Sequence, residues 1–132
     1  MTFLVARSVY QPRKPIDELT VSVVIPARNE KGNIEALIQR TPVMGKMTEL
    51  IFVEGNSTDD TWQEIQRLGT LYKSQRPLKW VQQEGKGKGD AVRKGYSMAT
   101  GDILMILDAD MTVPPEDLPK FFRQLQLAKG VY

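Results

Sequence analysis

Four short apolar runs recur along the chain: Val21-Ser22-Val23-Val24-Ile25, Leu50-Ile51-Phe52-Val53, the weaker Leu78-Lys79-Trp80-Val81, and Ile103-Leu104-Met105-Ile106-Leu107. Their spacing is roughly 25–30 residues, the size of a β-α-β unit. Runs this short and rich in β-branched residues suit buried strands better than helices. The intervals between them carry helical periodicity. Ile34, Leu37 and Ile38 form an i, i+3, i+4 face that Thr41-Pro42 closes, and Trp62, Ile65, Leu68 and Leu71 form a second. Ala91, Val92, Gly95, Tyr96 and Ala99 form a third, and Leu118, Phe121, Phe122 and Leu125 a fourth, opened by Pro114, Pro115, Glu116 and Asp117. Strand and helix alternate throughout, which predicts an α/β chain with a mostly parallel sheet, covered on both faces and linked by right-handed crossovers. In such sheets ligands bind beyond the carboxyl ends of the strands, so function is to be sought in the residues that follow each run.

The chemistry available there is limited. The 132 residues contain no His and no Cys, which excludes a disulfide scaffold, a Cys or His zinc site, a Cys nucleophile and any triad built on imidazole. Carboxylates, Lys and Arg, hydroxyls, backbone groups and hard metal ions remain. With 18 Lys+Arg against 16 Asp+Glu and a net charge of +2, nucleic acid is not an expected partner. The length corresponds to one domain at most. Residues 1–20, with Pro12, Pro15, Arg7, Arg13 and Lys14 but no sustained periodicity, are expected to be a linker or arm, and residues 21–132 the domain. The first ten residues have no apolar core of signal-peptide length, and no run approaches the roughly 18 apolar residues of a membrane span, so a cytoplasmic chain is expected.

Polar residues crowd all four strand ends. Pro26-Ala27-Arg28-Asn29-Glu30 follows the first run, and Glu54-Gly55-Asn56-Ser57-Thr58-Asp59-Asp60 the second. Gly85-Lys86-Gly87-Lys88-Gly89-Asp90 follows the third, and Asp108-Ala109-Asp110 ends the fourth. Asn29 and Glu30, and the 57–60 segment, also read simply as helix starts and caps. The glycine-rich segment fits neither the dinucleotide fingerprint nor the P-loop: the third glycine would fall on Asp90 or Val92, and no Gly-Lys pair is followed by Ser or Thr. It reads either as a solvated turn or as a loop whose Lys86 and Lys88, beside a helix start, hold a phosphate or diphosphate. Asp108 and Asp110 emerge where a buried strand ends, and in an extended backbone positions i and i+2 point to one side. A divalent cation with oxygen ligands relieves the repulsion between them, with water and substrate phosphates completing its shell. An isolated Asp-x-Asp pattern also arises by chance in acidic loops.

Val-Ile-Pro-Ala-Arg-Asn-Glu at 24–30, Val-Glu-Gly-Asn-Ser-Thr-Asp-Asp-Thr at 53–61, Gly-Lys-Gly-Lys-Gly-Asp-Ala-Val-Arg-Lys-Gly at 85–95 and Ala-Thr-Gly-Asp-Ile-Leu-Met-Ile-Leu-Asp-Ala-Asp at 99–110 together resemble the inverting glycosyltransferases of family 2. Within that family the chain looks most like the dolichol-phosphate mannosyltransferase-like enzymes, which use polyprenyl phosphate acceptors. The resemblance implies the GT-A fold, with a Rossmann-like sheet that binds a nucleotide-sugar. By the same resemblance, Pro26, Ala27 and Glu30 belong to the segment contacting the nucleobase and ribose. Glu54 stands where the family usually has an Asp that contacts the base, and Gly55 and Asn56 replace the usual Asp-Gly. Gly87, Lys88 and Arg93 fall near the nucleotide and diphosphate. Asp108 and Asp110 match the Asp-x-Asp motif, the first acid near the ribose and metal, the second binding Mg²⁺ or Mn²⁺.

The implied activity is transfer of a hexose from a GDP- or UDP-sugar donor, with inversion and metal assistance, to a polyprenyl phosphate or a saccharide. An ionised phosphate acceptor needs no general base, whereas a sugar hydroxyl does. In this family the acceptor-binding elements usually follow the Asp-x-Asp region, so the chain is expected to be the donor-binding half of a domain, incomplete at its C-terminus. A non-catalytic module that binds a nucleotide-sugar or serves assembly is the alternative. A nucleotidyltransferase is disfavoured, because 26–29 lacks the glycine-rich loop expected directly after the first strand. Apolar surface left on the last strand or helix would favour self-association, and the basic arm is a further candidate for contact with the cytoplasmic face of a membrane.

Overall fold

In a computed structural model of the chain, the backbone of residues 3–6 and 15–127 is described. Five strands form one sheet: β1 (Phe3–Ala6), β2 (Thr20–Ala27), β3 (Met47–Glu54), β4 (Leu78–Gln82) and β5 (Ile103–Ile106), in the order β1-β5-β2-β3-β4. β2, β3, β4 and β5 run parallel, and β1 alone is antiparallel, pairing Phe3 with Ile106 through Ala6 with Ile103. The expected four-stranded parallel sheet is therefore present with one strand added at its edge. That strand lies in the stretch expected to be a linker or arm, which also contains a turn of 3₁₀ helix at Ile16–Glu18. Residues 7–14 of the arm lie outside the described residues.

Four helices fill the intervals: α1 (Ile34–Arg40), α2 (Thr61–Tyr72), α3 (Lys88–Met98) and α4 (Leu118–Leu127). Period-two alternation along the strands divides the core in two. Val21, Val23, Ile25, Leu50, Phe52, Ile103, Met105 and Leu107 face Ile34, Leu37 and Ile38 of α1, Ile65 and Leu68 of α2, and Leu118 and Phe122 of α4. Val24, Ile51, Val53 and Leu104 face the opposite way, against Ala91 of α3. Gly95 lets α3 lie close to the sheet, since a Cβ there would stand 2.4 Å from Val24 Cγ1. Leu71 departs from the expected helix face: it is 56% exposed. β5 departs too, because it is an interior strand flanked by β1 and β2 with all four residues buried. The apolar surface expected there is absent, and the exposed large apolar side chains among the described residues are Val43 and Leu71.

β2 continues through Pro26 instead of stopping before it. Residues of a parallel strand direct both backbone groups to one neighbour, alternately. The Val24 carbonyl accepts from Leu107 N on the β5 side, so Pro26 shares that direction. The last β2–β5 register pair is Val24 with Ile106, whereas β2 and β3 pair on to Ala27 and Glu54. The missing N–H of Pro26 thus falls where β5 has ended, and no ladder bond is lost. A notch opens at this end of the sheet.

Candidate functional site

A cavity of about 590 Å³ occupies the notch. Four strand-end segments build it: Pro26, Ala27, Arg28 and Glu30 after β2; Val53, Gly55 and Asn56 at β3; Gln83, Gly85, Lys86 and Gly87 after β4, continuing into Lys88 and Ala91 of α3; and Asp108, Ala109 and Asp110 after β5. Of the residues singled out from the sequence, Pro26, Ala27, Glu30, Gly87, Lys88, Asp108 and Asp110 come together here. Glu54 and Arg93 do not line the cavity.

Glu54 is held off the cavity by its own hydrogen bonds. The Glu54 carboxylate is fully buried, accepting from Ser57 N at 2.5 Å and Gln82 Nε2 at 3.2 Å. Burial raises its pKa, but these hydrogen bonds outweigh burial and hold it below the ordinary value. Arg93 is excluded by helical phase: it lies five residues after Lys88, roughly 140° around the helix at about 100° per residue. Its guanidinium is exposed, 3.9 Å from Asp90.

The loops are held in place by side-chain amides. Asn29 Oδ1 accepts from Thr58 N at 2.8 Å, and Asn29 N donates to Ser57 Oγ at 2.9 Å, which ties the β2 loop to the β3 loop. Gln83, buried, donates from Nε2 to the Gly87 carbonyl at 2.8 Å and to Asp90 Oδ2 at 2.9 Å, closing the glycine-rich loop on itself. Gly87 adopts φ +86° just before α3, a conformation that favours glycine. The described non-glycine residues with positive φ are Asn29 (54°), Asn56 (58°) and Met111 (56°), one in each of three strand-end loops. Asn tolerates this region and Met does not, so local backbone strain is concentrated around the cavity.

Asp108 and Asp110 reach the cavity by a route other than strand alternation. β5 ends at Ile106, and the chain turns at once, with Met111 N donating to the Asp108 carbonyl at 3.0 Å. The Asp110 carboxylate accepts from Thr112 N at 3.0 Å, and this backbone hydrogen bond is the largest cause holding its pKa below the ordinary value. Asp108 is paired with the Lys88 ammonium at the start of α3. The cavity therefore has an acidic wall from β5 and a basic wall from Lys86, Lys88 and the amino end of α3, where backbone N–H groups favour an anion.

The residues fit a hard cation in part. Both carboxylates line one cavity, and oxygen donors suit Mg²⁺ or Mn²⁺. Among the described residues no cluster of three or more acidic side chains completes a cation shell, so water and ligand phosphates would supply the rest. Sequence reasoning did not single out Asn33, which touches this wall, or Gln83. The available signals were an Asn at a helix start and an amide residue immediately beyond a strand.

Residues 22–131 match Glycosyl transferase family 2. The chain is 35% identical over 111 residues to a dolichol-phosphate mannosyltransferase of Pyrococcus furiosus, covering 82% of this chain and 30% of that protein. It is 40% identical over 109 residues to the dolichol-phosphate mannosyltransferase of Saccharomyces cerevisiae, covering 79% of this chain and 40% of the relative. Among solved structures, a mannosyltransferase from Pyrobaculum calidifontis in complex with GDP-Man and Mn²⁺ superposes with a TM-score of 0.63 at 30% identity, over 74% of this chain and 29% of the other. Glucosyl-3-phosphoglycerate synthase from Mycobacterium tuberculosis in complex with UDP superposes with a TM-score of 0.67 at 27% identity, over 92% and 48%. The chain thus spans less than half the length of each of these proteins. No helix among the described residues is long and apolar enough to cross a membrane.

Proposed function

We propose that this chain, which belongs to glycosyl transferase family 2, binds a nucleotide-sugar in the strand-end cavity and forms the donor side of an enzyme that transfers a hexose to an acceptor with inversion. The observation that carries this reading is the pairing of an acidic wall, Asp108 and Asp110, with a basic wall, Lys86 and Lys88, across one cavity. A nucleoside diphosphate presents the anion that the basic wall and the start of α3 would hold. Pro26, Ala27 and Glu30 would then contact the nucleoside, and Asp108 and Asp110 would hold Mg²⁺ or Mn²⁺ against the diphosphate. Glu54 and Arg93 are not in the cavity lining, whereas Gly55, Asn56 and Gln83 are, and in this reading those three would stand beside the base.

In the transfer, the acceptor oxygen forms a bond to the anomeric carbon while the bond from that carbon to the diphosphate oxygen breaks on the opposite face. Negative charge grows on the departing diphosphate. Lys88 would exchange its pairing with Asp108 for that charge and stabilise it as it grows. A bound divalent cation supplies further charge neutralisation at the leaving group. The dolichol-phosphate and undecaprenyl-phosphate transferases among the relatives favour a polyprenyl phosphate acceptor, whose ionised oxygen needs no general base. Such an acceptor places the working enzyme at a membrane face, with the basic segment 1–20 on the same chain.

Calorimetric titration with GDP-mannose, other GDP-sugars and UDP-sugars, with and without Mn²⁺, tests the assignment. Binding that strengthens with Mn²⁺ and loses that gain in Asp110→Ala is expected. Lack of metal-dependent binding to every donor, with Asp110→Ala matching the parent, would overturn it. Binding of donor with no transfer to any acceptor would favour a module that holds the nucleotide-sugar without turnover.

A further inference from the structure

We propose that Asn33 is a positioning residue that fixes the Asp108-Ala109-Asp110 turn from the start of α1; this rests on the donor-binding role proposed for that turn. Asn33 closes a 3₁₀ turn, Lys31–Asn33, that leads into α1; its backbone is helical and its side chain makes no capping bond. Its two amide hydrogens serve the cavity wall: Nδ2 donates to Glu30 Oε2 at 2.7 Å and to the Ala109 carbonyl at 3.1 Å. Ala109 is buried between the two acids. One planar amide therefore joins the β2 loop to the centre of the acidic turn.

The turn needs such an anchor. It is irregular backbone after a strand that has already ended, and Met111 directly beyond it holds a φ of 56°, a conformation unfavourable for a side chain of its size. Its internal backbone bonds, Met111 N to the Asp108 carbonyl and Thr112 N to Asp110 Oδ1, are both local, and Lys88 and Arg40 reach it only through the side chains of Asp108 and Met111. Asn33 adds a contact spanning 76 residues of sequence. The Glu30 carboxylate orients the amide so that its second hydrogen faces Ala109. Asp at position 33 has the same shape but no hydrogen to donate, and would set a carboxylate against both Glu30 and the Ala109 carbonyl.

The test compares the parent with Asn33→Asp and Asn33→Ala. The first measurement is GDP and UDP affinity with and without Mn²⁺. In both variants the gain produced by Mn²⁺, taken as the ratio of affinities with and without the metal, is expected to fall roughly tenfold, as for loss of a hydrogen bond supported by a charged group. A variant that keeps the full metal gain overturns the role of Asn33. A parent without any metal gain instead overturns the donor-binding reading, and a second measurement then decides the Asn33 question alone. In that measurement, amide exchange at Met111 and Thr112 rises in Asn33→Asp while exchange in β2 and β3 stays at parental rates. Unchanged exchange at Met111 and Thr112 refutes the anchor. If Asn33→Ala fails to fold, the isosteric Asn33→Asp carries both measurements.

Discussion

The Lys88 ammonium, at the first residue of α3, is paired with the Asp108 carboxylate beyond the end of β5. Half of the Lys88 side chain remains exposed, and less than a fifth of Asp108 does. The pair joins two residues of the cavity lining and cancels one charge on each wall, so under the proposed function a diphosphate would compete with Asp108 for Lys88.

Replacing Lys88 by Ala is therefore expected to weaken GDP or UDP binding by about tenfold, the range of one charge-assisted hydrogen bond. Raising ionic strength should narrow the difference between parent and variant, since part of it is screened attraction. Calorimetry at two salt concentrations reads both effects, and equal affinities for parent and variant would remove Lys88 from the ligand contacts.

A second ion pair bridges α1 to the segment leading into α4. Arg40 donates to Glu116 through Nε at 2.7 Å and Nη2 at 2.8 Å, and to Met111 Sδ at 3.4 Å. The guanidinium holds the Glu116 carboxyl down from 4.5 to about 2. A carboxyl depressed in the folded state stabilises the fold above its ordinary pKa and ceases to do so as pH falls through the folded value. The contribution is thus complete above about pH 4.5 and lost toward about pH 2. Glu116→Gln should lower stability slightly at neutral pH, as for an exposed pair, and the difference from the parent should vanish as pH falls through that window. Urea midpoints followed from neutral pH downward provide the check.

At the amino ends of the strands, Glu49 is buried and gathers four donors. Ser22 Oγ donates at 2.5 Å, Thr100 N at 2.8 Å and Thr100 Oγ1 at 3.0 Å, all to Oε2, while Lys79 Nζ lies 2.9 Å from Oε1. Burial pushes the Glu49 pKa up, but the bonds from Ser22, Thr100 and Lys79 outweigh burial, so the carboxyl titrates below its ordinary value. Its contribution is present above the ordinary carboxylate pKa and lost as pH falls below it. Glu49→Ala should cost about 2–4 kcal/mol at neutral pH, because buried donors are left unpaired. Chemical denaturation at neutral and acidic pH should show this cost shrinking in acid.

Gly95→Ala places a methyl 2.4 Å from Val24 Cγ1. The gain in helix propensity, about 1 kcal/mol, is smaller than the overpacking penalty of about 1–3 kcal/mol that follows when α3 is driven off the sheet. A net loss of stability of about 1 kcal/mol is expected by denaturant titration. Because Lys88 and Ala91 ride on α3 and line the cavity, nucleotide affinity should fall with it. Gly95→Ala at parental stability would show that Val24 yields without cost.

Much of this architecture is legible in the residue string because β2, β3 and β5 are buried on both faces and so appear as largely apolar runs, while the half-buried edge strand β4 gives a weaker one. β1 is not legible: Phe3–Ala6 is four residues long, and its partner lies about a hundred residues away, so its pairing is a tertiary event without a local signal. Glu54 shows the same limit at the site. Its place at a strand end is visible in the sequence, but the bonds from Ser57 N and Gln82 Nε2 that hold its carboxylate off the cavity are not. Asp108 and Asp110 could be found by type and position, yet the turn that aims them is set by the early end of β5 and by Asn33, whose partner is a backbone carbonyl no residue pattern announces. Arg93 carries the charge the chemistry calls for and fails on helical phase alone.

The notch depends on unequal strand lengths. β2 and β3 pair to Ala27 and Glu54, three residues past the Val24–Ile106 pair that ends the β2–β5 ladder. At roughly 3.3 Å per residue, that overhang is about 10 Å deep. A recess made by backbone register is indifferent to which side chains decorate it. The depth of the recess is inherited from hydrogen-bond pairing, so a lining side chain that holds no loop can be exchanged without the recess itself being lost.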